Sequence, residues 1–196
     1  MKKTNHLRKL RKAVGKVQDA RRFEHTLGVE YTSAALAMRY GGDLENARVA
    51  GLLHDCAKCL SDEKMLSICK KNHIPVTEVE RKNPFLLHAK VGACLAREKY
   101  GVKEPDILNA IRSHTTGRRD MSLLEKIVFV ADYIEPGRRH APRLGEIRKL
   151  AFVDIDQALR EILRDTLAYL KTSDGDIDPM TEETWRYYSR QGGNLK

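Results

Sequence analysis

His54 and Asp55 stand side by side near the end of an otherwise apolar run, AGLLHDCAK over residues 50–58. Neighbours on a helix project about 100° apart, so both side chains can lean toward one ion, whereas on a strand they would point to opposite faces. An imidazole nitrogen and a carboxylate oxygen suit a divalent transition metal, but two donors hold it weakly and further ligands must come from elsewhere. His25 and Asp132 are the best candidates, because each interrupts a patterned, core-facing helix with a group that is costly to bury without a partner. Taken singly, each of these residues reads as a hydrogen-bonded histidine or a locally bonded acid. Their order points instead to one metal centre: a His, then a His-Asp pair, then a distant Asp, each on a separate expected helix.

The elements that must position them are helical. Apolar spacing predicts a first long helix from about Leu7 to Tyr40, stopped by Gly41-Gly42. Asp43 caps a second, LENARVAGLLHDCAKC, with Ala47, Ala50, Leu53 and Ala57 on one face. Ser61 caps DEKMLSICKKN, and Asn83-Pro84 opens FLLHAKVGACLAREKYG. The segment EPDILNAIRSHTTG ends at Gly117, and Ser122 with Glu125 has capping-box spacing before KIVFVADYIEP. A long helix over about Leu144 to Leu170, a TSDGDIDP turn and a short MTEETWRYYSR helix close the chain. The expectation is about eight helices without a sheet, an all-α bundle whose connections shape any cleft.

Composition narrows the setting. The 196 residues suit one domain with a full core. The apolar runs of about five residues fall far short of the roughly 20 a membrane helix needs, and the basic N-terminus lacks the apolar stretch of a secretory signal. A soluble, cytoplasmic protein is expected. Cys56, Cys59, Cys69 and Cys94 are then free thiols, and the CAKC spacing reads as helix filler because no second CxxC accompanies it. Of the net charge of +9, residues 1–22 hold nine Lys and Arg against Asp19 alone, a net +8 that leaves +1 for the rest. The body is therefore not a basic surface built to follow a phosphate backbone. A basic arm over residues 1–20 can attract RNA, anionic lipid or a polyphosphate, although a solvated helix face is the commoner meaning of such a run.

The motifs HTLGV around His25, GLLHDCAK around His54, HAKVGA around His88, IRSHTTG around His114 and FVADYIEPGRR around Asp132 together resemble the HD-domain metal-dependent phosphohydrolases. The likeness is closest to the bacterial YqeK-type symmetrical diadenosine-tetraphosphate hydrolases and spans about residues 20–190. It implies an all-α HD-domain bundle over residues 21–196 behind the arm. It also implies a metal-dependent hydrolase that cuts diadenosine tetraphosphate into two ADP, with iron as the implied ion; manganese, cobalt or zinc suit the same donors. Other HD-type nucleotidases and phosphodiesterases share those ligands, so ligands alone do not set the substrate.

On this resemblance His25, His54, Asp55 and Asp132 hold the metal, which lowers the pKa of bound water, and Asp55 also orients that water. His88 and His114 either complete a second metal site or donate to phosphate oxygens; phosphate contact is favoured, with His114 and Lys58 counted as catalytic beside Asp55. Lys58 stands one helical turn beyond His54 on the same face. Arg138, just past Pro136, suits a bidentate phosphate contact, and Arg22, one turn before His25, is expected to do likewise. Nucleotide contacts thus fall to Arg22, His25, Asp55, His88, His114, Asp132 and Arg138. The Ser173–Thr181 turn corresponds to the family segment over the base, but Asp178-Pro179 replaces the usual His-Pro pair. The expected partner is a dinucleoside polyphosphate or an ADP-like molecule, and the expected assembly a homodimer. The rival reading is a nucleic-acid or ribosome-associated binding protein acting through its arm.

Overall fold

The structure, a computed structural model, describes residues 2–172 and 177–191. Among them it contains eleven α-helices, one 3-10 turn and no strand: α1 Lys2–Gly15, α2 Ala20–Tyr40, α3 Leu44–Leu53, α4 Asp62–Lys71, α5 Glu78–Lys82, the 3-10 turn Pro84–Leu87, α6 His88–Glu98, α7 Pro105–Ser113, α8 Leu123–Ile134, α9 Leu144–Ala151, α10 Ile155–Thr172 and α11 Pro179–Gln191. The core is built around α8, whose run Ile127 to Ala131 is buried on every side and packs against α2, α3, α7, α9 and α10. A helix apolar all round belongs at the centre of a bundle.

Caps explain most helix starts. Asp43, Ser61 and Ser122 each accept from a backbone N–H three residues on, and Ser122–Glu125 forms a full capping box. Thr77–Glu80 forms another and starts α5, a short helix that the apolar spacing did not reveal.

The expected continuous helix from Leu7 to Tyr40 is two helices. Asp19 caps α2 by accepting from Arg22 N at 2.9 Å, and the chain turns over residues 16–19 so that the Phe23 ring closes on Gly15. The expected helix over 144–170 also breaks, where Asp154 accepts from Gln157 N at 2.8 Å and starts α10. In both places periodicity runs through a break that a single acidic cap decides. Residues 7–14 of the basic segment are not free of the body: Leu7, Leu10 and Val14 join the main core. Arg11 grips the fully buried Glu30 through two bonds of 2.7 Å, and Arg48 of α3 adds a third at 3.1 Å.

The difference that matters most is at α3. It ends at Leu53, not at Cys59, and residues 54–60 continue as tight turns bonded between i and i−3, with Cys56 N on Leu53 O and Lys58 N on Asp55 O. His54 and Asp55 are thus the first residues beyond a helix, close against α2. A Cβ on Gly51 would lie 2.8 Å from Ser33 Oγ and 3.0 Å from Glu30 Cα, so the contact between α2 and α3 depends on the missing side chain.

Candidate metal centre

Four histidines from four places converge on Asp55 and Asp132. His54 is the C-cap of α3, His114 the C-cap of α7, His88 ends the 3-10 turn, and His25 lies inside α2. Adjacent rings stand edge to face with centroids 5.3, 5.0 and 5.1 Å apart along the series His25, His54, His114, His88.

Their orientations are fixed at Nδ1. His54, His88 and His114 each lie 2.7 Å from a backbone carbonyl, those of Gly51, Phe85 and Ile111. A carbonyl oxygen only accepts, so Nδ1 carries the proton and, in the neutral ring, Nε2 is left with its lone pair. His25 Nδ1 lies 3.1 Å from Glu135 Oε1 and is settled in the same way. Every Nε2 then faces inward. His25 Nε2 is 3.1 Å from Asp132 Oδ1 and 4.0 Å from Asp55 Oδ2; His54 Nε2 is 3.6 Å from Asp55 Oδ2 and 3.9 Å from Asp132 Oδ1. His88 and His114 both approach Asp55 Oδ1 at 3.5 Å.

This is an arrangement of acceptors facing acceptors. The Nε2 atoms of His25 and His54 are buried and have no hydrogen-bond partner. Bare nitrogens against carboxylate oxygens are stable only with positive charge among them, either an extra imidazole proton or a metal ion. Donors about 2.0–2.2 Å from a common ion stand roughly 3–4 Å from one another, the spacing found here. The donor triads His25–His54–Asp55, His54–His114–Asp132 and Asp55–His88–His114 each fit within 4.8 Å. The residues present fit a divalent metal.

Charge in the metal-free cluster is divided unevenly. Burial pushes His54 down to about 4 and His88 down to about 3. Burial also opposes the charged form of His25, yet Asp132, Glu135 and Asp55 outweigh it and raise the group; His114 is raised against burial by Asp55 and Asp132. Both acids lie below the usual carboxylate range. Burial works against ionisation of each, but is overcome by His54, His114 and His88 at Asp55, and by His25, His54 and Arg138 at Asp132.

The site has a floor and a mouth. The side chains of His54, His88, His114 and Asp55 are at most 5 % exposed, whereas Asp132 is 25 %, Arg22 34 % and Arg138 37 % exposed. Arg22 Nη1 donates to Asp55 Oδ2 at 2.7 Å. Arg138 Nη2 donates to both the carbonyl and Oδ1 of Asp132, at 2.8 and 2.9 Å. Lys58 is not on a helical face shared with His54: it lies in the turn after α3, with Nζ 3.3–3.4 Å from the His88 ring nitrogens. The sequence-expected residues are therefore gathered in one place, except those of the 173–181 turn, of which Ser173–Asp176 lie outside the described residues.

Three contributors escaped the sequence reading. Glu135 Oε1 lies 3.1 Å from His25 Nδ1; Thr115 Oγ1 sits 3.2 Å from Nε2 of both His88 and His114; Gln18 Nε2 donates to the backbone carbonyl of Asp55 at 3.1 Å. Only Glu135 left a sequence signal, an acid directly behind the apolar run of α8. A separate cavity of about 370 Å³ lies between residues 72–75, α6 and α7, lined by Lys90, Arg97 and Arg112; none of its lining residues belongs to the cluster.

The HD-domain family pattern matches residues 22–137, which takes in His25, the His54-Asp55 pair and Asp132. This chain belongs to the HD-domain family. As an HD-domain protein it is 42% identical over 166 residues to the symmetrical bis(5'-nucleosyl)-tetraphosphatase of Bacillus subtilis (strain 168), covering 85% of this chain and 88% of that one. It is 33% identical to the protein of the same name from Staphylococcus aureus, over 90% of this chain and 91% of the relative. A crystal structure from Clostridium acetobutylicum, described as a predicted HD superfamily hydrolase involved in NAD metabolism, superposes with a TM-score of 0.90 at 39% identity, over 93% of this chain and 96% of that one. The all-α HD fold expected from the motifs is thus the fold of this chain.

Proposed function

We infer that this HD-domain protein is a metal-dependent hydrolase that cleaves diadenosine tetraphosphate symmetrically into two ADP. The observation that carries the reading is the set of orphaned Nε2 atoms of His25 and His54 facing Asp55 and Asp132, in a chain whose full-length relatives bear the tetraphosphatase name. His25, His54, Asp55 and Asp132 would hold the metal, and iron, manganese, cobalt and zinc all suit such donors. When bound, a metal of this kind makes water a nucleophile near neutral pH and draws charge from phosphoryl oxygens.

The chain's own residues do the rest. Symmetrical cleavage needs a water oxygen to attack one of the two inner phosphorus atoms while the oxygen bridging them leaves with the other ADP. Asp55 has two carboxylate oxygens, so it can ligate through one and orient the attacking water through the other, accepting its proton as the phosphorus–oxygen bond forms. His114 turns Nε2 into the site 3.5 Å from Asp55 Oδ1 and serves the departing bridging oxygen in its doubly protonated form, which Asp55 and Asp132 favour against burial. Arg22, Arg138 and Lys58 bind the phosphate oxygens, and the Thr115 hydroxyl places a donor beside them, while the inward nitrogen of His88 accepts from the Lys58 and Thr115 side chains next to it. Free thiols at all four cysteines fit a reducing, cytoplasmic setting, and no helix among the described residues is long and apolar enough to cross a membrane.

The test is hydrolysis of diadenosine tetraphosphate by purified protein, first chelated and then reloaded with iron or manganese, beside a His54→Ala, Asp55→Ala variant, with products separated by chromatography. ADP as the sole product, lost with chelator and in the variant, is the expected result. Turnover that ignores chelator, or none in any metal state, overturns the assignment. Salt-dependent RNA affinity lost on removing residues 1–20 would then favour the arm as the functional element.

A further inference from the structure

Three of the four site histidines are oriented by their own chain and one is not. His54, His88 and His114 each donate Nδ1–H to the carbonyl three residues back, at 2.7 Å. Each is the C-cap of a helix or 3-10 turn, where the last carbonyls lack helical partners and are free to accept. His25 is the sixth residue of α2, and the carbonyls behind it already serve the helix. It needs an acceptor from elsewhere, and Glu135, 110 residues away, supplies one at 3.1 Å.

We propose that Glu135 is the positioning residue of the centre, holding His25 as the Nδ1–H tautomer that turns its Nε2 onto Asp55 and Asp132. The inference rests on the metal-site reading of the cluster. A carboxylate bonded to the far nitrogen of a ligating histidine fixes the ring and strengthens it as a donor.

The surroundings of Glu135 are built for that task. The residue is 3 % exposed, and among the described residues no Lys or Arg pairs with its carboxylate, which meets the His25 ring instead. Its second oxygen, Oε2, accepts from Gly137 N at 2.5 Å. Space for the carboxylate is made by Gly28, one turn beyond His25 on α2: a Cβ there would stand 2.6 Å from Oε2. The backbone behind it is clamped by Arg148 of α9, which donates to the carbonyls of Ile134, Glu135 and Arg138 at 2.9, 2.7 and 3.0 Å. The carboxylate is therefore held in place before His25 meets it, which is what an orienting group requires.

The test uses the full chain with Glu135→Gln, Glu135→Ala and Gly28→Ala variants. Glu135→Gln keeps the shape but cannot accept from both His25 and Gly137, and Gly28→Ala displaces an unaltered carboxylate. Two readouts are taken: the dissociation constant for Mn²⁺ by chelator competition, and the tautomer of His25 from its imidazole nitrogen shifts in metal-free protein, at a pH above the titration of that ring. The expected result is a 10–100-fold loss of Mn²⁺ affinity together with His25 shifts moving away from the pure Nδ1–H form in all three variants. Unchanged His25 shifts in folded Glu135→Gln and Gly28→Ala overturn the proposal. Mn²⁺ uptake absent from wild type would defeat the metal-site reading separately, and the tautomer measurement would still decide the role of Glu135. If Glu135→Ala does not fold, the other two variants carry the test.

Discussion

Arg22 donates from Nη1 to Oδ2 of Asp55 across 2.7 Å and so ties the first turn of α2 to the turn that follows α3. Among the described residues it is the one guanidinium or ammonium paired with that acid, which stays ionised although only 5 % of its side chain is exposed. Removing it leaves a buried carboxylate short of positive charge. We expect Arg22→Ala to lower the stability of metal-free protein by about 1–2 kcal/mol, less than a fully buried pair because Arg22 remains a third exposed. A divalent ion supplies the missing charge, so the loss should shrink when metal is present. Denaturant unfolding with and without Mn²⁺ checks this, and an equal loss in both states would count against it.

The metal-free imidazoles should divide into two pairs. His54 and His88, pushed to about 4 and about 3 by burial, titrate below the ordinary range; His25 and His114, raised by their acids, titrate above it. For the first pair the unfolded chain binds more protons once pH falls below about 6.5, so their contribution to stability drains away between there and their folded pKa values. The second pair acts oppositely, adding stability below about 6.5 that is lost as pH rises through their folded values. A histidine-resolved NMR titration reads all four, and a single shared pKa near 6.5 would refute the division.

Gly51→Ala should be disruptive although alanine is the better helix former. Its Cβ would meet Ser33 Oγ at 2.8 Å, with Glu30 Cα and Val29 O both at 3.0 Å, and two of these three are backbone atoms that cannot turn aside. Overpacking of this kind costs about 1–3 kcal/mol. Because the Gly51 carbonyl also orients His54, metal affinity should fall with stability. A variant as stable as wild type in thermal melts would contradict the close approach of α2 and α3.

Glu125 gives an acid-sensitive tie remote from the metal ligands. Its buried carboxylate accepts from Arg118 Nε and Nη2 at 2.6 and 2.5 Å, from Ser113 Oγ at 2.7 Å and from Ser122 N at 2.8 Å. Burial alone would raise its pKa; the donors from Arg118, Ser113 and Ser122 bring it below the ordinary 4.5. The folded form thus binds fewer protons than the unfolded one, and the stabilisation is complete above about pH 4.5 and lost as pH falls through the folded value. Glu125→Gln should cost about 1–3 kcal/mol at pH 7 and flatten the acid limb of the stability curve. An acid limb identical to wild type would remove Glu125 from the account.

Local chemistry was legible wherever the interacting atoms lie within a few residues. Asp43, Ser61 and the Ser122–Glu125 box mark helix starts because each cap bonds a backbone N–H three residues away, and the apolar run of α8 marks the centre of the bundle because no face of it can meet water. The same locality explains the errors: Asp19 and Asp154 carry caps too, yet apolar spacing continues across both and suggested unbroken helices. By itself the sequence determined the helical class, the order of the His and Asp groups and the family they belong to. Only the tertiary structure decided that His25 leans on Glu135, that Arg22 and Arg138 are engaged with Asp55 and Asp132, and that every Nε2 turns inward. Those are contacts between residues 6 to 110 positions apart, whose geometry is set by how α2, α3, α7 and α8 pack rather than by any pattern along the chain.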